Sequence, residues 1–373
     1  MPINYELIDA TSDVATTRTL LHEVIPLTGT IVSGTYGVFP NDENIKNYSH
    51  GQFQSVYDYP FLSSSANHIF DLSVGYDETS ARSGSASVQN KKKINMYNQM
   101  SQVLLGYTGS TNKVRLFESD LTLDESVSNV MREVFVINFS RLLTKDEIKK
   151  GSFSISVKTG SYFGPAAGYI TGGAAVYSDA TTTETQGTLN TVGGDYGVLS
   201  SSTDGVGGVV FYQAGIAFLT ASAFSGNLGP TLGTIATVKA GGPSLQPVGF
   251  YSDGVKTWHT VDELLTGSSI SGACDAVRQR IENISFNNTT EINSTIYFCR
   301  MPHNKFNYSS NPTYLSGGSI RVKNERRTNP PISYITTIGL YNSANELLAV
   351  AKLSEPLRKD PTNELTLRVR LDY

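Results

Sequence analysis

The chain has 373 residues, of which 39% are hydrophobic and 17% are charged, and its formal net charge is −4. The length allows two or three domains, or one long β-rich body. The acidic balance argues against nucleic acid as the main partner, because duplex binding requires a concentrated basic face. The low share of charged residues predicts a polar, weakly charged surface that can be buried against partner proteins at a small desolvation cost.

The first stretch, to about Ser80, mixes short β-prone runs with turn residues, and Ile69–Val74 is predicted to be a strand. Its aromatic residues are spaced too irregularly for an amphipathic helix, and they indicate an extended segment lying across another surface: Phe53, Tyr57, Tyr59 and Phe61. The first ten residues lack the features of a signal peptide, and no run is long enough to span a membrane. We therefore expect a soluble protein synthesised in the cytoplasm.

A helix is predicted over residues 91–105. Apolar residues recur there at three and four positions, and Gly106 stands where a C-terminal cap belongs. The apolar stripe consists of Ile94, Tyr97, Met100 (or Met96), Val103 and Leu104. Such a stripe is more often core than a ligand site. The basic run Lys91-Lys92-Lys93, like Arg326-Arg327, is interpreted as a solvated loop or helix start.

The middle of the chain predicts a strand–helix–strand unit. Residues 133–139 form a strand by propensity, and Thr144 with Glu147 is a capping box for a helix that Gly151 ends. Phe153, Ile155 and Val157 then alternate with serines, as in a half-buried strand.

Residues 160–208 are rich in Gly, Ala, Thr and Ser, and predict loops and edge strands. The apolar run from Val209 to Thr220 is interrupted by Gly215, which indicates a bulge or two strands meeting at a bend. A second capping box, Thr260 with Glu263, precedes Leu264-Leu265. Residues 274–284 predict a further short helix.

Four strands are predicted near the C-terminus, and together they are expected to form one antiparallel sheet of about four members: residues 292–300, 334–341, 347–353 and 365–371. The Asn-Ser-Ala-Asn segment at 342–345 predicts a hairpin turn between the second and third of them.

The predicted fold is therefore mainly β with a few short helices (α+β), built of antiparallel sheets or a sandwich. Three regions are expected: an N-terminal extended region over 1–128, a central β-rich region over 129–290, and a C-terminal antiparallel region over 291–373.

The sequence predicts no enzyme, and it indicates no catalytic, cofactor-binding or metal-binding residue. It has no phosphate-cradling glycine loop, no metal-binding pair of histidines and no Cys-x-x-Cys. The five histidines are scattered: His22, His50, His68, His259 and His303. His259, between Trp258 and Asp262, has the most suggestive neighbours but is interpreted as structural. The cysteines, Cys274 and Cys299, could form one bridge, although two buried free thiols fit a reducing cytoplasm better.

Several long segments resemble a family of virion structural proteins of contractile-tailed bacteriophages. The segments that carry the resemblance are residues 93–100 (KINMYNQM), 103–107 (VLLGY), 133–151 (EVFVINFSRLLTKDEIKKG), 306–314 (FNYSSNPTY), 335–341 (ITTIGLY) and 347–356 (LLAVAKLSEP). The resemblance extends over most of 25–373 and is weakest in the Gly/Ala/Thr-rich middle.

This resemblance implies a subunit of the virion, located at the tail or baseplate or at the neck or collar. Its expected partners are other virion proteins and further copies of itself, without direct contact with nucleic acid or membrane. Two alternatives stay open. One is a receptor- or carbohydrate-binding module of a phage fibre, and the other is a polysaccharide-degrading enzyme, which would require two carboxylates in a cleft.

Overall fold

The computed structural model describes residues 5–28, 43–84, 87–108, 113–124, 126, 128–158, 162–163, 169–170, 174–179, 188–224, 234–235, 238–239, 246–247, 259–260, 265, 269–278, 280–309, 315–316, 319–320 and 332–373. The chain forms two compact units. Unit 1 comprises residues 1–20 and 291–373, and unit 2 comprises residues 21–290.

The chain is mainly β, as predicted, and its strands pair antiparallel. The strands that form the main sheet of unit 2 are β2 (Ile45–Asn47), β3 (Gln54–Tyr57), β4 (His68–Tyr76), β5 (Glu133–Phe139), β6 (Glu147–Ile148), β7 (Ser154–Lys158), β10 (Ala174–Ser178), β11 (Leu189–Thr191), β12 (Gly194–Ser201), β13 (Gly205–Phe211) and β14 (Ile216–Thr220). The helices are α1 (Val88–Leu104), α2 (Arg141–Thr144) and α3 (Ile270–Arg278). The short pairs in the chain are β8 (Tyr162–Phe163) with β9 (Tyr169–Ile170), β15 (Thr234–Ile235) with β18 (His259–Thr260), β16 (Val238–Lys239) with β17 (Gln246–Pro247), and β20 (Leu315–Ser316) with β21 (Ser319–Ile320).

The longest strands contain the boundaries of the units. They are β1 (Val14–Thr28) and β19 (Ile281–Met301). Within unit 2 the first half of β19 lies beside β7, and the order continues through β10, β12, β13, β14, β5 and β4 to β3 and the edge strand β2.

The main sheet of unit 2 has a hydrophobic core on each face. Along β5, Phe135 and Ile137 belong to one buried cluster, whereas Val134 and Val136 belong to the other. Successive side chains of a strand point to opposite faces, so the two clusters lie on opposite sides of the sheet. One core includes residues of α3, and the other includes Tyr97 and Leu104 of α1.

Helix α1 begins three residues before its predicted start. The Ser87 hydroxyl accepts a hydrogen bond from the Asn90 amide at 3.2 Å and caps the N-terminus. At the other end Gly106 has a φ of 80°, as its position after the last turn predicted. Tyr97 and Leu104 are buried, but Val103 is exposed and is not part of the stripe.

The basic run at the start of α1 does not lie wholly in solvent, because Lys93 is fully buried. The interpretation of this run as solvated is wrong at that position. Arg326 and Arg327 lie outside the described residues.

The predicted helix from Thr144 to Gly151 is wrong. The chain makes only the single turn α2 and then forms β6, which pairs with β19. The amide of Ile148 donates to the carbonyl of Tyr212 at 2.9 Å, and the amide of Lys149 donates to Asn287 at 2.7 Å. These long-range bonds satisfy the amides that a helix would have used, so tertiary pairing overrides the local capping signal.

The Gly-rich stretch over 160–208 contains more than loops and edge strands, because β12 lies inside the sheet between β10 and β13. Its buried residues, Tyr196, Val198 and Leu199, face both cores. The predicted break at Gly215 is confirmed, since β13 and β14 form a hairpin in which Gly215 has a φ of 69°.

The helix predicted over 274–284 is instead α3, which begins at Ile270 and ends at Arg278, before β19 starts at Ile281. Thr260 of the second capping box lies in β18 and Leu265 is buried, whereas Glu263 and Leu264 lie outside the described residues.

Unit 1 contains β22 (Ser333–Tyr341), β23 (Leu347–Lys359) and β24 (Leu365–Asp372). All the predicted C-terminal strands are present, but the expected single sheet of four members is wrong. Strand β24 pairs with the second half of β19, whereas β22 and β23 pair only with each other in the described part of the chain. The predicted hairpin turn joins β22 to β23, and β24 pairs with β19 instead of with this hairpin.

Candidate interaction surfaces

The hairpin of β22 and β23, here called the C-terminal arm, exposes apolar side chains. Directly paired residues of antiparallel strands share a face. The pairs Gly339–Val350 and Tyr341–Leu347 lie on one face and are exposed, while Ile338–Ala351 and Leu340–Ala349 lie on the opposite face and are half-buried. The arm therefore carries apolar rows on both faces.

The tip and the middle of the arm each depart from regular pairing. At the tip, the register shifts between Leu340 and Tyr341, so that Leu348 of β23 has no paired residue on β22. In the middle, residues 353–356 of β23 lie opposite the single residue Thr336 of β22. Pro356 is tolerated there because a bulge needs no ladder hydrogen bond from it. Near the tip, the Tyr341 ring and the Leu347 side chain lie over Gly339, and Tyr5 contacts Tyr341 edge-on at 5.1 Å between centroids.

The arm is fixed at its root by a buried ammonium group. Lys359 is fully buried, and its Nζ donates to Asn307 Oδ1 at 2.8 Å, to the Asp360 carbonyl at 3.0 Å and to the His303 carbonyl at 3.4 Å. The hydroxyl of Ser333, on the neighbouring strand, donates to the Phe306 carbonyl at 2.5 Å. The root is thus held in place, while the apolar side chains nearer the tip are exposed or half-buried.

Replacing Lys359 with methionine is expected to loosen the arm, because three oxygen acceptors lose their donor. We expect amide exchange in β22 and β23 to accelerate roughly tenfold, which corresponds to about 1.4 kcal/mol. Hydrogen–deuterium exchange with mass spectrometry measures this change. Lys352→Met, at an exposed position of the same arm, is the matched control and should leave exchange unaltered; equal behaviour of the two variants would contradict the role of Lys359.

Unit 2 carries an aromatic cluster at the β2 edge of its sheet. The rings of Tyr48 and His50 stack at 5.1 Å with an interplanar angle of 13°, and Phe53 lies 4.9 Å from both. Lys46 Nζ lies 4.8 Å from the Tyr48 centroid, within cation–π range. These rings extend the aromatic group noticed in the sequence, of which Tyr57 lies in β3, whereas Phe53, Tyr59 and Phe61 lie in the segments on either side of that strand.

A polar row crosses the strands beside these rings. Lys46 of β2 pairs with Ser55 of β3, Ser55 pairs with Asp71 of β4, and Asp71 pairs with Asn138 of β5, which places all four on one face. Asp71 Oδ1 accepts from Ser55 Oγ at 2.5 Å and binds His68 Nε2 at 2.8 Å.

Tyrosine hydroxyls extend this polar network. Ser55 Oγ lies 3.3 Å from the Tyr48 hydroxyl, so Tyr48 is hydrogen-bonded as well as stacked. Burial, together with a hydrogen bond to Tyr48, raises the pKa of Tyr57. The Tyr57 hydroxyl therefore stays protonated and able to donate at neutral pH.

Ser55, His68 and Asp71 do not form a serine-protease type of triad. In such a triad the imidazole lies between the serine and the carboxylate, so that it can accept the serine proton. Here the carboxylate lies between the other two groups, and both contact the same oxygen. The cluster is suited to holding hydroxyl groups by hydrogen bonds.

The remaining histidines and the cysteines are not members of this cluster. His22 Nδ1 contacts the Asn288 carbonyl at 3.3 Å, His303 contacts Glu364 at 3.2 Å, and His259 lies in β18; Trp258 and Asp262 are outside the described residues. Both cysteines are free, but only Cys274 is buried, so the expectation of two buried thiols is wrong for Cys299. No group of three or more potential metal ligands occurs among the residues that the structure describes.

Comparison with protein-family models, with curated proteins and with solved structures finds no match. Within the described ranges, no helix has the length and apolar character needed to cross a membrane.

Proposed function

We propose that this chain is a structural subunit that assembles in multiple copies through protein–protein contacts. The particle it belongs to is the virion of a tailed bacteriophage, at the tail or baseplate or at the neck or collar. The C-terminal arm supports the first statement, and the resemblance of the segments quoted above supports the second. The partners are other virion proteins and copies of the chain itself, and the role requires no catalysis.

The arm supports assembly because an isolated two-stranded hairpin is at best marginally stable in water. Its exposed apolar side chains, Tyr341, Leu347, Leu348 and Val350, gain free energy only when another surface covers them. The fixed root at Lys359 reduces the ordering entropy that docking costs.

Cryo-electron microscopy of the intact particle tests this proposal. We expect density for the chain in symmetry-related copies, with the arm of each copy covered by a neighbouring chain. Absence of the chain from the purified virion would overturn the proposal, and its presence with the arm fully solvated would overturn the role of the arm.

An acidic substitution on the arm should reduce incorporation into the particle. Leu348 is 68% exposed, so Leu348→Asp costs the isolated chain little but buries a charge when the arm docks. We expect at least a roughly tenfold loss of the chain from particles, measured by quantitative mass spectrometry of virions. Leu142 of α2 is 69% exposed and provides the matched control Leu142→Asp, which should be incorporated normally. Equal incorporation of both variants would contradict docking through the arm.

A further inference from the structure

The aromatic cluster at the β2 edge has features that assembly does not require. It combines rings that are partly open to solvent with hydrogen-bonding groups at fixed positions between them. Saccharides present an apolar face of C–H bonds and a rim of hydroxyl groups, and they are bound by the same combination of stacking rings and oriented polar groups. We propose that this cluster is a binding site for an uncharged, hexose-based saccharide.

The rings supply the stacking surface. His50 is exposed, and it is held by its backbone and its ring: its carbonyl accepts from Lys92 Nζ at 2.7 Å, and its Nδ1 accepts from the Gln52 amide at 3.1 Å. Tyr48 stacks on its ring, and Phe53 contacts both rings. A ring that is fixed before the ligand arrives loses little entropy on binding.

Asp71 supplies the oriented acceptor. Both of its hydrogen bonds in the cluster use Oδ1, and its side chain is 26% exposed, so Oδ2 is the atom that would accept from a sugar hydroxyl. Ser55 and His68 fix the carboxylate in that orientation. Lys46 Nζ lies over the Tyr48 ring and Lys92 Nζ donates to the His50 carbonyl, so the charge that a sugar group would meet at Oδ2 is the carboxylate, which disfavours an acidic group at that position.

A purely protein-binding surface explains these features less well. The centre of a protein–protein contact is normally depleted of charged residues and well packed with apolar groups. This cluster instead has a carboxylate, an imidazole and hydroxyl groups beside its rings, which are the donors and acceptors that polyols require.

The test is a titration of the full chain with cellotetraose, chitotetraose and mannotetraose, and with tetragalacturonate as the acidic counterpart, followed by saturation-transfer NMR and calorimetry. We expect at least one neutral oligosaccharide to bind with a Kd of about 1 mM or below. His50→Ala and Asp71→Asn should each weaken that binding roughly tenfold or more. Tyr107→Ala removes an exposed ring away from the cluster and should leave the affinity unchanged.

Thermal unfolding of each variant separates lost binding from lost folding; His50 is exposed, so His50→Ala in particular should fold as the parent does. No binding of any neutral probe, binding only of tetragalacturonate, or binding that both cluster variants retain would overturn the proposal. These outcomes are independent of the virion role, which is tested by the position of the chain in the particle.

Discussion

Replacing Gly208 with alanine is expected to destabilise the chain by about 3 kcal/mol or more. Gly208 lies in β13, and a Cβ added there would be 1.9 Å from the carbonyl oxygen of Phe218 on the adjacent strand β14. This oxygen belongs to the backbone, so it cannot move away as a side chain could. Strands β13 and β14 would have to separate in the middle of the sheet, between the two cores.

Thermal unfolding measures this effect as a fall of roughly 10 °C in Tm. Gly205, at the start of the same strand, provides the control because nothing lies within 4 Å of its added Cβ. Its φ of 72° still makes Gly205→Ala cost about 1 kcal/mol. If the two variants unfold within about 1 kcal/mol of each other, the close approach of β13 to β14 is not the source of the cost.

Replacing Lys93 with methionine is expected to stabilise the chain at neutral pH. Burial lowers the pKa of Lys93 from 10.5 to about 8, an effect that the nearby Cys274 partly offsets. A shift of this size corresponds to about 3 kcal/mol of penalty for the charged amine. The Lys93 Nζ donates to the Leu265 carbonyl at 2.7 Å, and losing that bond costs about 1 kcal/mol. The net gain at pH 7 should be about 2 kcal/mol.

The stabilisation should depend on pH in a defined direction. The pKa of Lys93 in the folded chain lies below its unfolded value, so between about pH 8 and 10.5 the unfolded state binds more protons. The parent chain therefore gains stability as pH rises through this window, and the advantage of Lys93→Met shrinks. Groups common to both chains cancel in this difference.

Urea unfolding at pH 7, 9 and 10 measures the change. Lys91→Met is the control on the same helix, because Lys91 is exposed, and its effect should be below about 0.5 kcal/mol at each pH. A constant difference between the parent and Lys93→Met across the window would contradict the assignment of the penalty to the buried charge.

The sequence predicted correctly those elements in which long-range contacts do not override the local pattern of apolar residues. Strands β4, β5, β22 and β24 lie where period-two alternation or β-propensity placed them. The helix predicted from Thr144 is wrong because its amides bond to residues 64 and 138 positions away, Ile148 to Tyr212 and Lys149 to Asn287, and a capping box carries no information on such partners.

The candidate surfaces could be predicted only in part. The ring-rich segment was visible in the sequence, but His68 and Asp71 join it through the register of β3 with β4, which local spacing does not report. Likewise, the hairpin turn predicted β22 and β23, whereas the pairing of β24 with β19 rather than with β23 joins residues far apart in the chain, which local spacing does not report. Burial of Lys93 depends on the packing of α1 against β4, where an added Cβ at Gly75 would meet the Tyr97 amide at 2.9 Å.

The two cores of the central sheet also constrain how the chain can vary in length. Because alternate residues of β5 line opposite cores, inserting one residue near Val134 would move Phe135 and Ile137 to the other face. Both cores would then lose their fit at once, and no substitution at one site could restore them. Insertions and deletions should therefore be confined to the connections between strands, while β5 and its neighbours keep a fixed number of residues.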